Sequence, residues 1–284
     1  MPSNRRRAAE LCAQATGTPY RTCLDWAAGG LITRQQPVPD AATAEQRAFE
    51  AELLTEIANE LRHGPVDPAL FGFVRSVPTN SGLLLDLHPA MADRVLAAVL
   101  PRIDEYYGGL RGVPGLRLTR RDGAWVFARA EGTAAIRLRH PQSDWSPALP
   151  RHGDGLTQVW LRNRHRLHPV EAVRMSSWAS RGGDPDLATA LDWLNSRILR
   201  RCALVNGTRT THGSDAYTHG SMDLVLEWCC GADVPEMEAR LRRSGLAYRP
   251  DGIGEHPRDT PWFPGEIAMG GAFVSLRAGF CGRR

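Results

Sequence analysis

Between Thr16 and Ile32 the chain reads Thr-Gly-Thr-Pro-Tyr-Arg-Thr-Cys-Leu-Asp-Trp-Ala-Ala-Gly-Gly-Leu-Ile, and its glycines and proline leave little freedom over where helices start and stop. A helix beginning near Arg5 ends at Gly17, because glycine closes a helix in the left-handed conformation without a Cβ penalty. A second helix opens on Pro19, whose missing N–H costs nothing in a first turn, and stops at Gly29-Gly30. Ala13, four residues before Gly17, is small enough for two helices to meet at a tight corner. On the second helix Cys23 and Trp26 turn inward, while Arg21, Thr22 and Asp25 point out.

The cations are distinctive in kind. All 35 basic residues are arginine, so every one carries a planar, permanently charged fork suited to phosphates and carboxylates. Against 31 acidic residues the net charge is +4, which permits nucleic-acid contact without demanding it. With 42% apolar residues, the 284-residue chain can build one large core or two smaller ones. No apolar run approaches the roughly 18 residues a membrane span needs. The basic start, Met1 to Arg7, leads into an amphipathic segment rather than an apolar leader, so a soluble, cytoplasmic protein is expected. The cysteines at 12, 23, 202, 229, 230 and 281 show no C-x-x-C spacing and read as reduced core thiols. No metal or cofactor is expected from them.

Four stretches follow from the pattern. Residues 1–40 form the helical head, closed by an extended piece whose Pro37 and Pro39 exclude helix. Residues 41–64 hold a long amphipathic helix: Thr43 and Gln46 have capping-box spacing, and Phe49, Leu53, Ile57 and Leu61 recur every four residues. Residues 65–150 read as an α+β unit. It contains a buried strand at Leu83–Leu87, a helix from Met91 to about Tyr107 interrupted or bent near Pro101, and a hairpin turning at Asp122-Gly123. Ala135–Arg139 adds a strand, and the loop at 141–153 marks a boundary. Residues 151–284 form a second α+β unit. There, 155–180 is partly helical, 185–201 and 235–243 are helices, and 222–228 and 272–276 are strands. The fold class expected is α+β: a helix-turn-helix and a long helix, then a mixed, mainly antiparallel sheet with packed helices.

Residues 16–32 resemble the helix-turn-helix of the mercury-resistance-regulator (MerR) class and of excisionase-type winged helices. The carrying residues are the Thr16-Gly17 turn, the Arg21-Thr22 pair, the aromatic Trp26 and the exit Gly30-Leu31-Ile32. The resemblance implies DNA binding, with Arg21 and Thr22 at the major-groove edge. Arg5, Arg6, Arg7 and Arg34 would then add phosphate contacts. It also implies that the 43–62 helix pairs two copies into a homodimer; packing on its own domain fits that stripe equally. The plain alternative for the helix pair is a hairpin used for packing or for docking a partner, as in a structural or phage-assembly component. The rest of the chain resembles only uncharacterised proteins of high-GC Gram-positive bacteria, which carries no function across.

Two basic stretches lie outside the head. Arg117, Arg120, Arg121, Arg129, Arg137 and Arg139 sit on or beside the hairpin strands, and Arg162, Arg164 and Arg166 interleave with His165 and His168. Each is either a surface for a nucleic-acid backbone or the solvated side of its element. The tetrapeptide Thr-His-Gly-Ser occurs twice, at 211–214 and 218–221. If Asp215-Ala216 turns a hairpin, His212 faces His219, and with Asp215 or Asp223 nearby the pair would hold a metal or perform acid–base work. A small hydrolase or transferase is therefore the alternative to a DNA-binding protein with an effector or partner domain. No P-loop, Gly-x-Ser-x-Gly or His-Glu-x-x-His motif is present.

Overall fold

The structure is a computed structural model and describes residues 3–61, 69–79, 82–104, 106, 109–147, 156–183, 185–206, 214–219, 223–229, 231–247 and 265–279. Helix α1 (Asn4–Thr16) starts at Ser3, whose side chain accepts from the Arg6 N–H, and closes at Gly17 with φ 73° and its N–H donated to the Ala13 carbonyl. Helix α2 (Tyr20–Ala28) follows Pro19 and ends before Gly29-Gly30. The two share a small core of Ala8, Ala9 and Cys12 against Cys23, Ala27 and Ile32, flanked by half-buried Trp26. The corner between them is pressed onto the body. Thr18 donates its hydroxyl to the Ser76 carbonyl at 3.3 Å, and a Cβ on Gly17 would lie 3.1 Å from Arg75 Cγ.

Helix α3 (Ala44–Leu61) is capped by Thr43, which accepts from the Gln46 N–H at 3.1 Å. The Gln46 side chain does not complete the reciprocal box; it bridges Glu50 and both backbone groups of Ala135 instead. Phe49, Leu53, Ile57 and Leu61 are buried as their spacing predicts, but so are Glu50, Ala51, Glu52, Leu54 and Ala58. A helix buried on this many faces is a core element. The stripe expected to pair two copies through residues 43–62 is consumed by packing inside the chain.

The remaining elements run β1 (Phe73–Thr79), β2 (Gly82–Leu87), α4 (Ala92–Val99), β3 (Arg102–Asp104), β4 (Leu110–Arg111), β5 (Leu116–Arg121), β6 (Ala124–Arg129), β7 (Ala135–Arg139), β8 (Leu156–Gln158), α5 (Val159–Arg162), α6 (Pro169–Ala179), α7 (Pro185–Leu199), α8 (Cys202–Asn206), β9 (Ser214–His219), β10 (Asp223–Cys229), α9 (Val234–Arg243), β11 (Gly265–Met269) and β12 (Ala272–Gly279). They give an α+β fold with three sheets among the described residues, ordered β1-β2-β7-β6-β5, β11-β12-β10-β9 and β4-β3-β8. Among the described residues, only β2–β7 and β10–β12 pair in parallel. The β5–β6 hairpin turns at Asp122 and Gly123, both at positive φ, as an Asp-Gly dipeptide favours.

One expected helix is shorter than its pattern. The stretch from Met91 to Tyr107 is helical only to Val99; Leu100 is extended and 102–104 forms β3. Pro101 lacks an N–H and disfavours helical geometry in the residue before it, so the helix stops and the chain joins a sheet. That sheet spans the loop after β7, because β3 pairs with both β4 and β8. A single apolar cluster runs from Phe49 to Leu276, with α3 and α7 at its centre.

Candidate functional site

The arginines divide into two populations. Arg117, Arg129, Arg197 and Arg200 are buried and face Glu171, Glu52, Asp40 and Glu50 at 2.7–2.8 Å. Arg117 and Arg129 are thus internal ties, neither the nucleic-acid surface nor the solvated side expected of that stretch. Glu171 shows the strength of such a tie: the Arg117 fork and the backbone N–H groups of Gly115 and His168 hold its carboxyl below the usual range, against the opposing effect of burial. Arg137 and Arg139 are exposed beside buried Ile136 and Leu138, as alternation predicts.

The second population gathers around the head. Arg5, Arg6 and Arg34 are exposed and have no ion-pair partner among the described residues; Arg7 pairs with Glu10 at 3.0 Å. The Arg21 side chain is 84% exposed at the start of α2, with Asp25 at 3.6 Å, and Thr22 beside it is half-buried. Arg34 links two surface cavities. One, of about 380 Å³, lies between Asn4, Arg5 and Ala8 of α1 and Ala27 of α2. The other, of about 300 Å³, is lined by Arg7, Leu11, Arg242 and Arg243. Three segments distant in sequence thereby form one basic groove.

The α9 arginines escape a reading of the sequence because Arg240, Arg242 and Arg243 at a helix end have an ordinary local explanation, complementing the C-terminal dipole. Arg242 is tied to Glu238 at 2.8 Å, whereas Arg243 is exposed. Their position beside Arg34 is built in. Gly245 has φ 77°, and a Cβ there would lie 2.6 Å from the Gln35 carbonyl oxygen. Arg197 forks onto Asp40 at 2.8 and 2.7 Å and donates to the Leu246 carbonyl at 2.9 Å, clamping both flanks of the groove. No strand follows α2 within residues 31–40; Thr33 and Gln36 close a turn and Pro37 to Pro39 are buried.

The histidine repeat is arranged differently from its expectation. Asp215 and Ala216 do not form a turn: β9 runs straight through them. Asp215 faces Glu227 and His219 faces Asp223, so Asp215 and His219 sit four strand residues apart, about 13 Å. His212 lies outside the described residues. Among those residues, no group of three His, Cys, Asp or Glu side chains is placed to hold a metal ion. A cavity of about 310 Å³ does adjoin this sheet, its lining including Thr55, Asn59, Leu191, Asn195, Thr218 and Asp223. Asn195 is buried and donates to Thr55 Oγ1, while its Oδ1 has no hydrogen-bond partner. Nearby on α3, burial pushes Glu56 up to about 7, against the pull of Arg174 at 3.7 Å.

No helix among the described residues is long and apolar enough to cross a membrane. In comparisons with known proteins the chain matches no family model, no curated protein and no solved structure.

Proposed function

We propose that this chain binds DNA with the outer face of its helical head, the body acting as an effector or partner domain. The observation that carries the reading is Arg21, held at the start of α2 with its guanidinium in solvent. The N-terminal part of a helix is what a recognition helix offers to the major groove, with Arg21 and Thr22 at base edges. Arg5, Arg6, Arg34 and Arg243 supply phosphate contacts that carry no sequence information but fix orientation. A docking hairpin would serve its role without the uncompensated Arg5, Arg34 and Arg243 around one groove.

Mobility shift of a duplex over a salt series tests this. Each neutralised phosphate contributes about 0.9 to the slope of log K against log salt. Replacing Arg5, Arg6, Arg34 and Arg243 together by Gln should flatten that slope by about 3 to 4. Absence of a shift at low salt, or a slope indifferent to the four substitutions, would discard the proposal. A second reading, a hydrolase or transferase, draws on Glu56, raised to about 7, whose partner Arg174 lines the Asn195 cavity. Tight metal uptake abolished by His212→Ala would favour that reading over the first.

A further inference from the structure

We propose that a cavity of about 640 Å³ between β5, β6 and the segment after α5 binds a nucleoside polyphosphate. The proposal stands apart from the DNA reading, because none of its residues belongs to the head. Its volume falls within the roughly 300–1,000 Å³ typical of small-molecule sites. The two basic stretches that the sequence leaves unassigned, one on the hairpin and one around His165, meet here and nowhere else among the described cavities.

The charge of the cavity is one-sided. Among the described residues no carboxylate lines it. At its back, Arg117 and Arg129 are already neutralised by Glu171 and Glu52. At its rim, Arg120, Arg121 and Arg164 are exposed and have no acidic partner among the described residues; Arg120 only leans over the Trp125 ring and bonds the Gly123 carbonyl. Three like charges gathered without a counterion are unfavourable until an anion carrying several charges arrives. Guanidinium forks suit phosphate oxygens in particular.

The aromatic part of the lining calls for a flat apolar group on the same ligand. Trp125 and Trp160 both line the cavity, and both indole N–H groups are committed elsewhere, to the Trp145 carbonyl at 3.3 Å and to Gln158 Oε1 at 3.1 Å. Trp160 is buried and closes the floor, while Trp125, half-buried, keeps ring surface that stacks on any base. Inorganic phosphate would leave the Trp125 ring unused, and an uncharged aromatic would leave the arginines unused. A nucleotide uses both.

Tryptophan fluorescence and calorimetry on the whole chain, titrated with the four nucleoside triphosphates, adenosine and inorganic triphosphate, test the assignment. At least one nucleotide should bind, with adenosine and inorganic triphosphate each about tenfold weaker or more, since each lacks half of the recognition. Arg121→Gln with Arg164→Gln should weaken nucleotide binding at least about tenfold. Both side chains are exposed, so circular dichroism should be unchanged. Arg21→Gln with Arg243→Gln should leave nucleotide binding as it was. The assignment is overturned if no nucleotide binds at millimolar concentration, or if inorganic triphosphate binds as well as the nucleotide. It is equally overturned if binding survives the rim substitutions, or is lost with those in the head.

Discussion

Glu50 and Arg200 form a bidentate pair at 2.7 Å in which both side chains are fully buried. Its remaining valences are filled: Ser196 and Gln46 donate to Glu50, and Arg200 donates to the Pro39 carbonyl. Such a pair adds little net stability, because desolvation offsets the attraction, but removing one partner strands the other. Arg200→Met should therefore cost about 3–5 kcal/mol in denaturant unfolding, and Glu50→Gln in the same chain should restore much of it. A single substitution costing under about 1 kcal/mol would contradict the burial seen here. Glu56 makes the opposite case, a carboxyl left short of positive charge. Its ordinary value of 4.5 rises to about 7 in the folded chain. The folded state holds that proton more tightly, so the contribution to stability is complete below about 4.5 and is lost as pH climbs through about 7. Glu56→Gln should gain on the parent between pH 5 and pH 8 by up to about 3 kcal/mol, the linkage equivalent of that rise. Parallel stability profiles at the two pH values would count against a perturbed Glu56.

Among the elements, those announced by local chemistry were legible. Gly17, Pro19 and Gly29 bound the helix pair, Asp122-Gly123 turns the hairpin, and the Phe49–Leu61 stripe is buried. Strand β1 escaped because Pro78 interrupts its pattern; it is tolerated there since β1 lies at the edge of its sheet. The inner arginines escaped for a different reason. Arg200 looks like any other arginine in the sequence, and its carboxylate lies 150 residues away. The basic surface of the head was half visible: helix geometry exposes Arg21, but nothing local brings Arg243 to Arg34. Two glycine turns separate backbone strain from packing. Gly17 and Gly123 have φ 73° and 77°, yet a Cβ on Gly123 meets nothing within 4 Å, whereas on Gly17 it crowds Arg75 and Ala203. Gly123→Ala should cost about 1 kcal/mol from strain alone. Gly17→Ala should cost visibly more, with faster amide exchange in α1 and α2. Equal costs would mean the corner is not seated on the body.

At the scale of the whole molecule, the groove depends on joining the first forty residues to the end of α9. The joint is Gly245, whose φ of 77° excludes most side chains and whose missing Cβ lets the Gln35 carbonyl and Pro37 pack directly on the backbone. Asp40 and Leu246, on either side, are held by the same Arg197 guanidinium. Any side chain at 245 must push the 33–37 loop outward, and Arg34 moves with it, away from Arg242 and Arg243. Gly245→Ala should then weaken duplex binding and make its salt dependence shallower, although residue 245 carries no charge to contribute. Loss of stability alone could mimic weaker binding, so Gly123→Ala, which is distant from the groove, serves as the destabilised control and should keep the parent's salt slope. Coupling supplies the sharper criterion. If Gly245 acts by holding Arg34 beside α9, Arg243→Gln should cost less affinity in the Gly245→Ala chain than in the parent, since the two substitutions remove one shared surface. Strict additivity would show that α9 and the loop contact DNA independently, or that α9 does not contact it.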